Sequence, residues 1–223
     1  MPIVSHTKIM NEIDFQKDYW DSVASEKTFT HPLNMDRFCQ MVSFESKILD
    51  YGCRYGRTCA YLAENGYSNV LGVDISLAMI NRGLQLHDNL KLQYLKDSSL
   101  PFSNDTFAAC TLLAVLTCIP TDIGQKDLID EIYRVLSPNG VLYVSGYPLQ
   151  KDAKNLERYA KFESEFGNYG VFRLSDGIVV RHHDMPWIYD LLAGFEVITE
   201  ETIDVFTMNG NKAAVFQIIA KKR

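Results

Sequence analysis

The sequence has no internal repeat, no low-complexity tract and no Pro/Gly/Ser-rich linker, so nothing divides its 223 residues into strings of small units. No long apolar run is present: the longest nearly uncharged stretch, "FAACTLLAVLTCIP" from Phe107 to Pro120, is too short to span a bilayer and suits a buried strand with its exit. The beginning, "MPIVSHTKIMNE", lacks the apolar core of a signal peptide. Five cysteines, an odd number without metal-ligand spacing, argue against a disulfide framework or a metal centre and point to a reducing, cytoplasmic setting. Excess basic charge is lacking too. The net charge of −6 disfavours a nucleic-acid partner, which ordinarily requires a basic face.

What is present is an alternation. Asn11 to Val42 reads as two short helices separated by "TFTHPL". "KILDYG" is an apolar strand, "RTCAYLAE" a helix stopped by Asn65-Gly66, and "NVLGVDI" a second strand followed by Ser76 as cap of the helix "LAMINRGLQLH". "LKLQYLKD" and "AACTLLAV" are the third and fourth strands. The helix "QKDLIDEIYRVL" places Leu128, Ile132 and Leu136 on one face, stops at "SPNG", and "VLYVSGY" is strand five. This rhythm predicts right-handed crossovers and a parallel sheet covered by helices. The tail departs from it: "FEVITEETIDVF" and "KAAVFQIIAKK" are joined through "MNGN", a hairpin signal that turns the last strand antiparallel. Another hairpin, "YGVFRLSDGIVVRHH", turns at Ser175-Asp176-Gly177, and the mixed-charge helix before it carries Leu156, Tyr159 and Phe162 on one stripe.

In open parallel sheets, ligands sit beyond the carboxyl ends of the strands where the strand order reverses. Strand one delivers Asp50, Gly52 and Gly56 there, strand two Asp74, strand three Asp97, and strand four ends near Leu113. Three carboxylates suit a ligand rich in hydroxyls and amines and would repel a pyrophosphate. "GCRYGR" also lacks the G-x-G-x-x-G spacing of a dinucleotide site.

With "DYGCRYG", "DISLAMI" and "KDSSLPF" in this order, the chain resembles the class I S-adenosylmethionine-dependent methyltransferases over about Ser46 to Gly146 and again over the final hairpin. The resemblance implies an α/β three-layer fold with a seven-stranded, mostly parallel sheet, its last strand antiparallel, plus an N-terminal helical lid and a small β-hairpin insertion. It implies one domain: a lid over 1–45, a cofactor core over 46–147, a substrate-side insertion and helix over 148–193, and a terminal hairpin over 194–223. Asp50, Gly52, Cys53 and Gly56 would lie against the methionine part of S-adenosylmethionine, with Leu113 nearby. Asp74 would hold the ribose hydroxyls. Ile75 and Met79 would pack on the adenine, whose amino group would reach Asp97 beside Ser98. Arg54 stands where the family often has glycine. Because the family accepts small residues there, the position is expected not to demand a positive φ, with the side chain in solvent or paired to an acid; the sharper reading pairs Arg54 or Arg57 with the cofactor's carboxylate. Ala108 replaces an aspartate that reads as structural.

The implied reaction is methyl transfer to an oxygen or nitrogen of a small molecule, releasing S-adenosylhomocysteine. A protein or RNA methyltransferase is the alternative within the class, and a non-catalytic regulatory protein that binds the cofactor the alternative outside it. No metal, nucleic acid or membrane is expected to take part. Tyr19, Trp20, Phe29 and His31 are candidate lid residues, and Tyr147 emerges at the cofactor end of strand five. His182 and His183 are candidate bases facing opposite ways, so at most one enters the pocket. Arg173 and Arg181, on opposite arms of the hairpin, pair across it, clamp a carboxylate or phosphate on the acceptor, or belong to solvated surface.

Overall fold

The computed structural model describes residues 13–96, 99–207 and 210–223. Among them, α1 is Lys17–Ser22 and α2 Met35–Met41, followed by β1 Ile48–Tyr51, α3 Arg57–Glu64, β2 Val70–Asp74, α4 Leu77–Leu86, β3 Lys91–Tyr94 and β4 Phe107–Leu113. Then come α5 Asp122–Val135, β5 Leu136–Gly146, α6 Ala153–Phe166, β6 Val171–Arg173, β7 Val179–Arg181, α7 Met185–Leu191, β8 Phe195–Phe206 and β9 Lys212–Lys222.

Seven strands form one sheet in the order β3-β2-β1-β4-β5-β9-β8. All neighbours from β3 to β5 are parallel, and β9 inserts antiparallel between β5 and β8. The chain is therefore an α/β protein with a seven-stranded, mostly parallel sheet between layers of helices. β1 is buried along its whole length, as "ILDY" between two parallel neighbours demands. The helices cover both faces and divide the interior into two large apolar clusters, one containing Leu49, Leu112, Ile132 and Phe216, the other Phe38, Ile48, Leu62 and Ile219.

Local chemistry fixes the elements at the carboxyl end of the sheet. Ser76 accepts from the Met79 N–H and Thr121 from the Gly124 N–H, each capping its helix. Asp21 on α1 accepts from both Ser76 Oγ (2.7 Å) and Ala78 N (3.1 Å), docking the N-terminal segment on the start of α4. β5 begins earlier than the sequence suggests: Leu136 pairs with Phe107 across a register shift, so "SPNG" lies inside the strand. On α6 only Tyr159 of the expected stripe is fully buried, while Leu156 remains exposed. Strands β6 and β7 form a separate antiparallel hairpin, and His183 tethers it to the main chain beyond β5 by donating its N–H to the Tyr147 carbonyl.

Candidate active site

The strand order reverses between β1 and β4, and the loop after β1 lies at that crevice. Its backbone is left-handed at alternating residues, with φ of +70° at Gly52, +58° at Arg54 and +80° at Gly56. A Cβ at Gly52 would come within 2.7 Å of Val115 Cγ2, so glycine is required there on two grounds. Arg54 contradicts the expectation from sequence: its position does take a positive φ. The conformation aims the Arg54 N–H at Asp74 Oδ2 (2.8 Å), and the cost to a non-glycine residue is roughly 1–2 kcal/mol. Its half-buried side chain borders two cavities and forms no ion pair with an acid among the described residues. The guanidinium lies 3.9 Å from the centre of the Phe29 ring and Nη2 donates to the Leu113 carbonyl (3.4 Å). Arg57 donates to the His31 carbonyl.

Asp74 closes β2 with a buried carboxylate, whose pKa is raised by desolvation. Oδ1 accepts from Ser76 N and Oδ2 from Arg54 N, each at 2.8 Å, so each oxygen keeps a further acceptor site. Asp74 borders a cavity of about 110 Å³ together with Gly52, Ile75, Met79 and Val115. Asp14, Phe15 and Trp20 close its other side. Asp14 was not singled out from the sequence; its carboxylate accepts from Thr121 N and Oγ1, and burial raises its pKa.

Four other residues expected at the cofactor do not border either main cavity. Asp50 is turned into the core, accepting from Thr111 Oγ1 (2.6 Å) and Cys59 Sγ (3.4 Å), and burial pushes its carboxyl up to about 6. Cys53 packs in the core with Cys59, and Gly56 starts α3. Leu113 contributes its carbonyl to Arg54. Asp97 and Ser98 lie outside the described residues.

A second cavity of about 690 Å³ adjoins the first, sharing Trp20, Arg54 and Cys118 with it. Tyr19, Phe29, His31, Tyr147 and His182 border it, as do Arg158 and Phe172, to which the sequence reading assigned no role. Arg158 carries no motif; only its place on α6 reveals it.

The hydrogen-bond network sets what each histidine offers. Ser145 Oγ donates to the Phe216 carbonyl (2.7 Å), so it accepts from His31 Nε2 (2.5 Å). His31 Nδ1 is left as a buried lone pair with no partner. Tyr159 Oη accepts from Gln150 N and gives its own proton to His182 Nδ1 (2.6 Å), which leaves His182 with an Nε2–H donor. His183 is fully buried away from the cavity: Nδ1 donates to the Tyr147 carbonyl and Nε2 accepts from Gln125. It is a tether. Burial lowers all three pKa values to about 3, helped by Arg54 and Arg57 at His31, by Arg158 at His182 and by Arg181 at His183. All three are neutral at pH 7.

Arg181 is likewise withdrawn. Its guanidinium is buried and paired with Asp122 (2.6 Å), so it is neither a clamp nor solvated surface. Arg173 borders the cavity but holds Glu165 at 3.0 Å.

Residues 49–144 match the family model described as "Methyltransferase domain". The chain is 33% identical over 100 residues to the N-demethylindolmycin N-methyltransferase of Streptomyces griseus, covering 44% of this chain and 42% of that protein. A Haemophilus influenzae protein, 31% identical over 106 residues, is also matched over 42% of its length, so the alignment spans under half of these curated relatives. Among solved structures, a SAM-dependent methyltransferase from Methanosarcina mazei superposes with a TM-score of 0.80 at 25% identity, over 86% of this chain and 99% of that one. The 1,6-didemethyltoxoflavin-N1-methyltransferase of Burkholderia thailandensis, crystallised with its substrate and S-adenosylhomocysteine, shares the fold with a TM-score of 0.67 at 16% identity, over 100% and 92%.

Proposed function

Because the chain carries the domain and fold of the class I S-adenosylmethionine-dependent methyltransferases, we propose that it transfers a methyl group from S-adenosylmethionine to an oxygen or nitrogen of a small molecule. One observation carries this reading: the Asp74 carboxylate, with acceptor sites unspent, stands at the end of β2 in a cavity that opens past Arg54 into a second, larger chamber. The two connected compartments together suit a cofactor that reaches from Asp74 past Arg54 and an acceptor of small-molecule size beside it in the larger chamber.

Bound there, S-adenosylmethionine would supply an electrophilic methyl group on a good leaving group. Asp74 would take the ribose hydroxyls, Ile75 and Met79 the adenine faces, and the Gly52 backbone the methionine portion. Arg54, between the compartments, would hold the cofactor's carboxylate while Phe29 fixes its guanidinium. The aromatic lid of Tyr19, Trp20 and Phe29 would keep water from the nucleophile. Where the acceptor carries a proton, methyl transfer itself makes that proton strongly acidic, so the unpartnered His31 Nδ1 would take it even as a weak base with a pKa near 3, and His182 Nε2–H would orient an acceptor oxygen. Tyr147, stacked on His182, would line the acceptor's place.

Calorimetric titration with S-adenosylmethionine, S-adenosylhomocysteine and NAD tests the cofactor assignment. Micromolar binding of both adenosyl ligands with NAD silent is the expected result, and the absence of adenosyl binding overturns it. Transfer of label from methyl-labelled S-adenosylmethionine to an acceptor panel then separates an enzyme from a cofactor-binding regulator.

A further inference from the structure

One wall of the larger chamber is a continuous series of stacked side chains. The Arg158 guanidinium lies 4.6 Å from the centre of the Phe172 ring. Phe172 meets His182 edge-on at 4.9 Å, His182 stacks on Tyr147 at 5.3 Å, and Tyr147 meets His31 edge-on at 5.5 Å. All five border the same cavity. The wall therefore runs from a cation on α6, across three uncharged rings, to the buried histidine beside Ser145 and near the cofactor compartment.

The charge of this chamber opposes that of the chain. Six cations border it (Lys27, Arg54, Lys154, Arg158, Arg173 and Lys212) against two carboxylates, in a protein of net charge −6. Most of the six are committed. Lys27 pairs with Asp176, Arg173 with Glu165 and Lys212 with Asp204, while Arg54 sits on Phe29. Asp152 spends its carboxylate on Asn155 at the start of its own helix. Lys154 and Arg158 form no ion pair within 4.0 Å among the described residues, and Arg158 meets the Asp152 carboxylate only at longer range, where it helps to lower that group's pKa. A more open groove, bordered by the same two residues with Lys161 and Arg173 against the single carboxylate of Glu157, adjoins this end. A guanidinium lying over an aromatic ring spends none of its N–H donors on that contact and keeps them for an anion.

We propose that the methyl acceptor is a flat aromatic anion. Its ring lies along Phe172, His182 and Tyr147. Its acidic group pairs with Arg158, backed by Lys154, and the atom to be methylated faces the His31 end. The last placement rests on the proposed function; the anion site does not.

The test uses the full chain and two fluorescent probes that differ by one acidic group, 8-anilinonaphthalene-1-sulfonate and N-phenyl-1-naphthylamine. The sulfonate is expected to bind about tenfold or more tightly than its neutral analogue, as a charge-assisted contact implies, and to lose that advantage in Arg158→Gln and at high salt. Arg158→Lys should retain part of it. Equal binding of the two probes, no binding of the sulfonate, or an advantage that survives Arg158→Gln overturns the proposal. Titration of the same variants with S-adenosylhomocysteine keeps the two readings apart. Unchanged affinity shows that the fold and cofactor compartment are intact, and loss of the sulfonate advantage beside it supports the Arg158 assignment. A wild-type chain that prefers the sulfonate yet ignores the adenosyl ligand would retain the anion site and refute the methyltransferase.

Discussion

The backbone N–H of Arg54 donates to Asp74 Oδ2 at 2.8 Å, which ties the loop after β1 to the carboxylate that ends β2. That bond accounts for the left-handed φ of an arginine where glycine would be relaxed. It also holds the Asp74 carboxylate in place while leaving part of its hydrogen-bonding capacity unused.

Asp74→Ala should weaken S-adenosylhomocysteine binding by about 1–3 kcal/mol, the cost of leaving buried hydroxyls unpaired. Calorimetry on the folded variant measures it. Wild-type affinity would refute the placement of the ribose.

Arg54→Gly separates strain from binding. The change relieves roughly 1–2 kcal/mol of backbone strain but loses the stack on Phe29, and glycine adds freedom to the unfolded chain. These contributions nearly cancel, so thermal stability should move little while cofactor affinity falls. Unchanged or tighter binding would show that the guanidinium does not meet the cofactor's carboxylate.

His31→Gln keeps a donor for Ser145 and removes the ring lone pair. For an acceptor that must lose a proton, kcat should drop about 100-fold or more, with cofactor affinity unchanged. For an acceptor already neutral and proton-free at the reacting atom, kcat should be nearly unaffected. A proton-bearing acceptor turned over at wild-type kcat would remove His31 as the base.

Acid should destabilise the fold before it protonates most carboxylates. The three buried histidines have folded pKa values near 3 against an ordinary 6.5, so the unfolded chain binds their protons first and stability falls as pH drops below about 6.5. Asp50, raised to about 6, acts in the opposite sense because its folded form takes up a proton early. The raised Asp14 and Asp74 add to that opposition. The three histidines outweigh Asp50 by roughly 3 kcal/mol between pH 7 and 5.5, a margin that Asp14 and Asp74 reduce, so stability should fall across that range. Thermal melts across that range measure it; a flat or rising melting temperature contradicts the burial of the histidines as neutral groups.

The fold was legible because each strand carries its own burial pattern. "ILDY" is apolar or buried at every position, and "MNGN" between two long strands announces the antiparallel ending. Asp74 and Gly52 were legible as the residues at strand ends. Asp50 was misjudged because a carboxylate at a strand end looks the same in sequence whether it meets a ligand or a threonine from the next strand. Arg181 was misjudged for a similar reason: its partner, Asp122, is 59 residues away and touches it only through the hairpin's docking. Arg158 and the ring series on which it lies had no local signal, since their members come from four separate segments of the chain.

Tyr147, Arg158, Phe172 and His182 all fall after residue 144, whereas Gly52, Asp74 and Val115 lie within the segment that matches the methyltransferase domain. The two cavities share Trp20, Arg54 and Cys118, yet much of the larger one's wall comes from the stretch after residue 144, which contributes nothing to the smaller. Substitutions in that stretch can therefore reshape the larger chamber without touching Gly52, Asp74 or Val115. Under the proposed function, such changes would alter which acceptor fits while the Asp74 end of the smaller cavity is inherited intact.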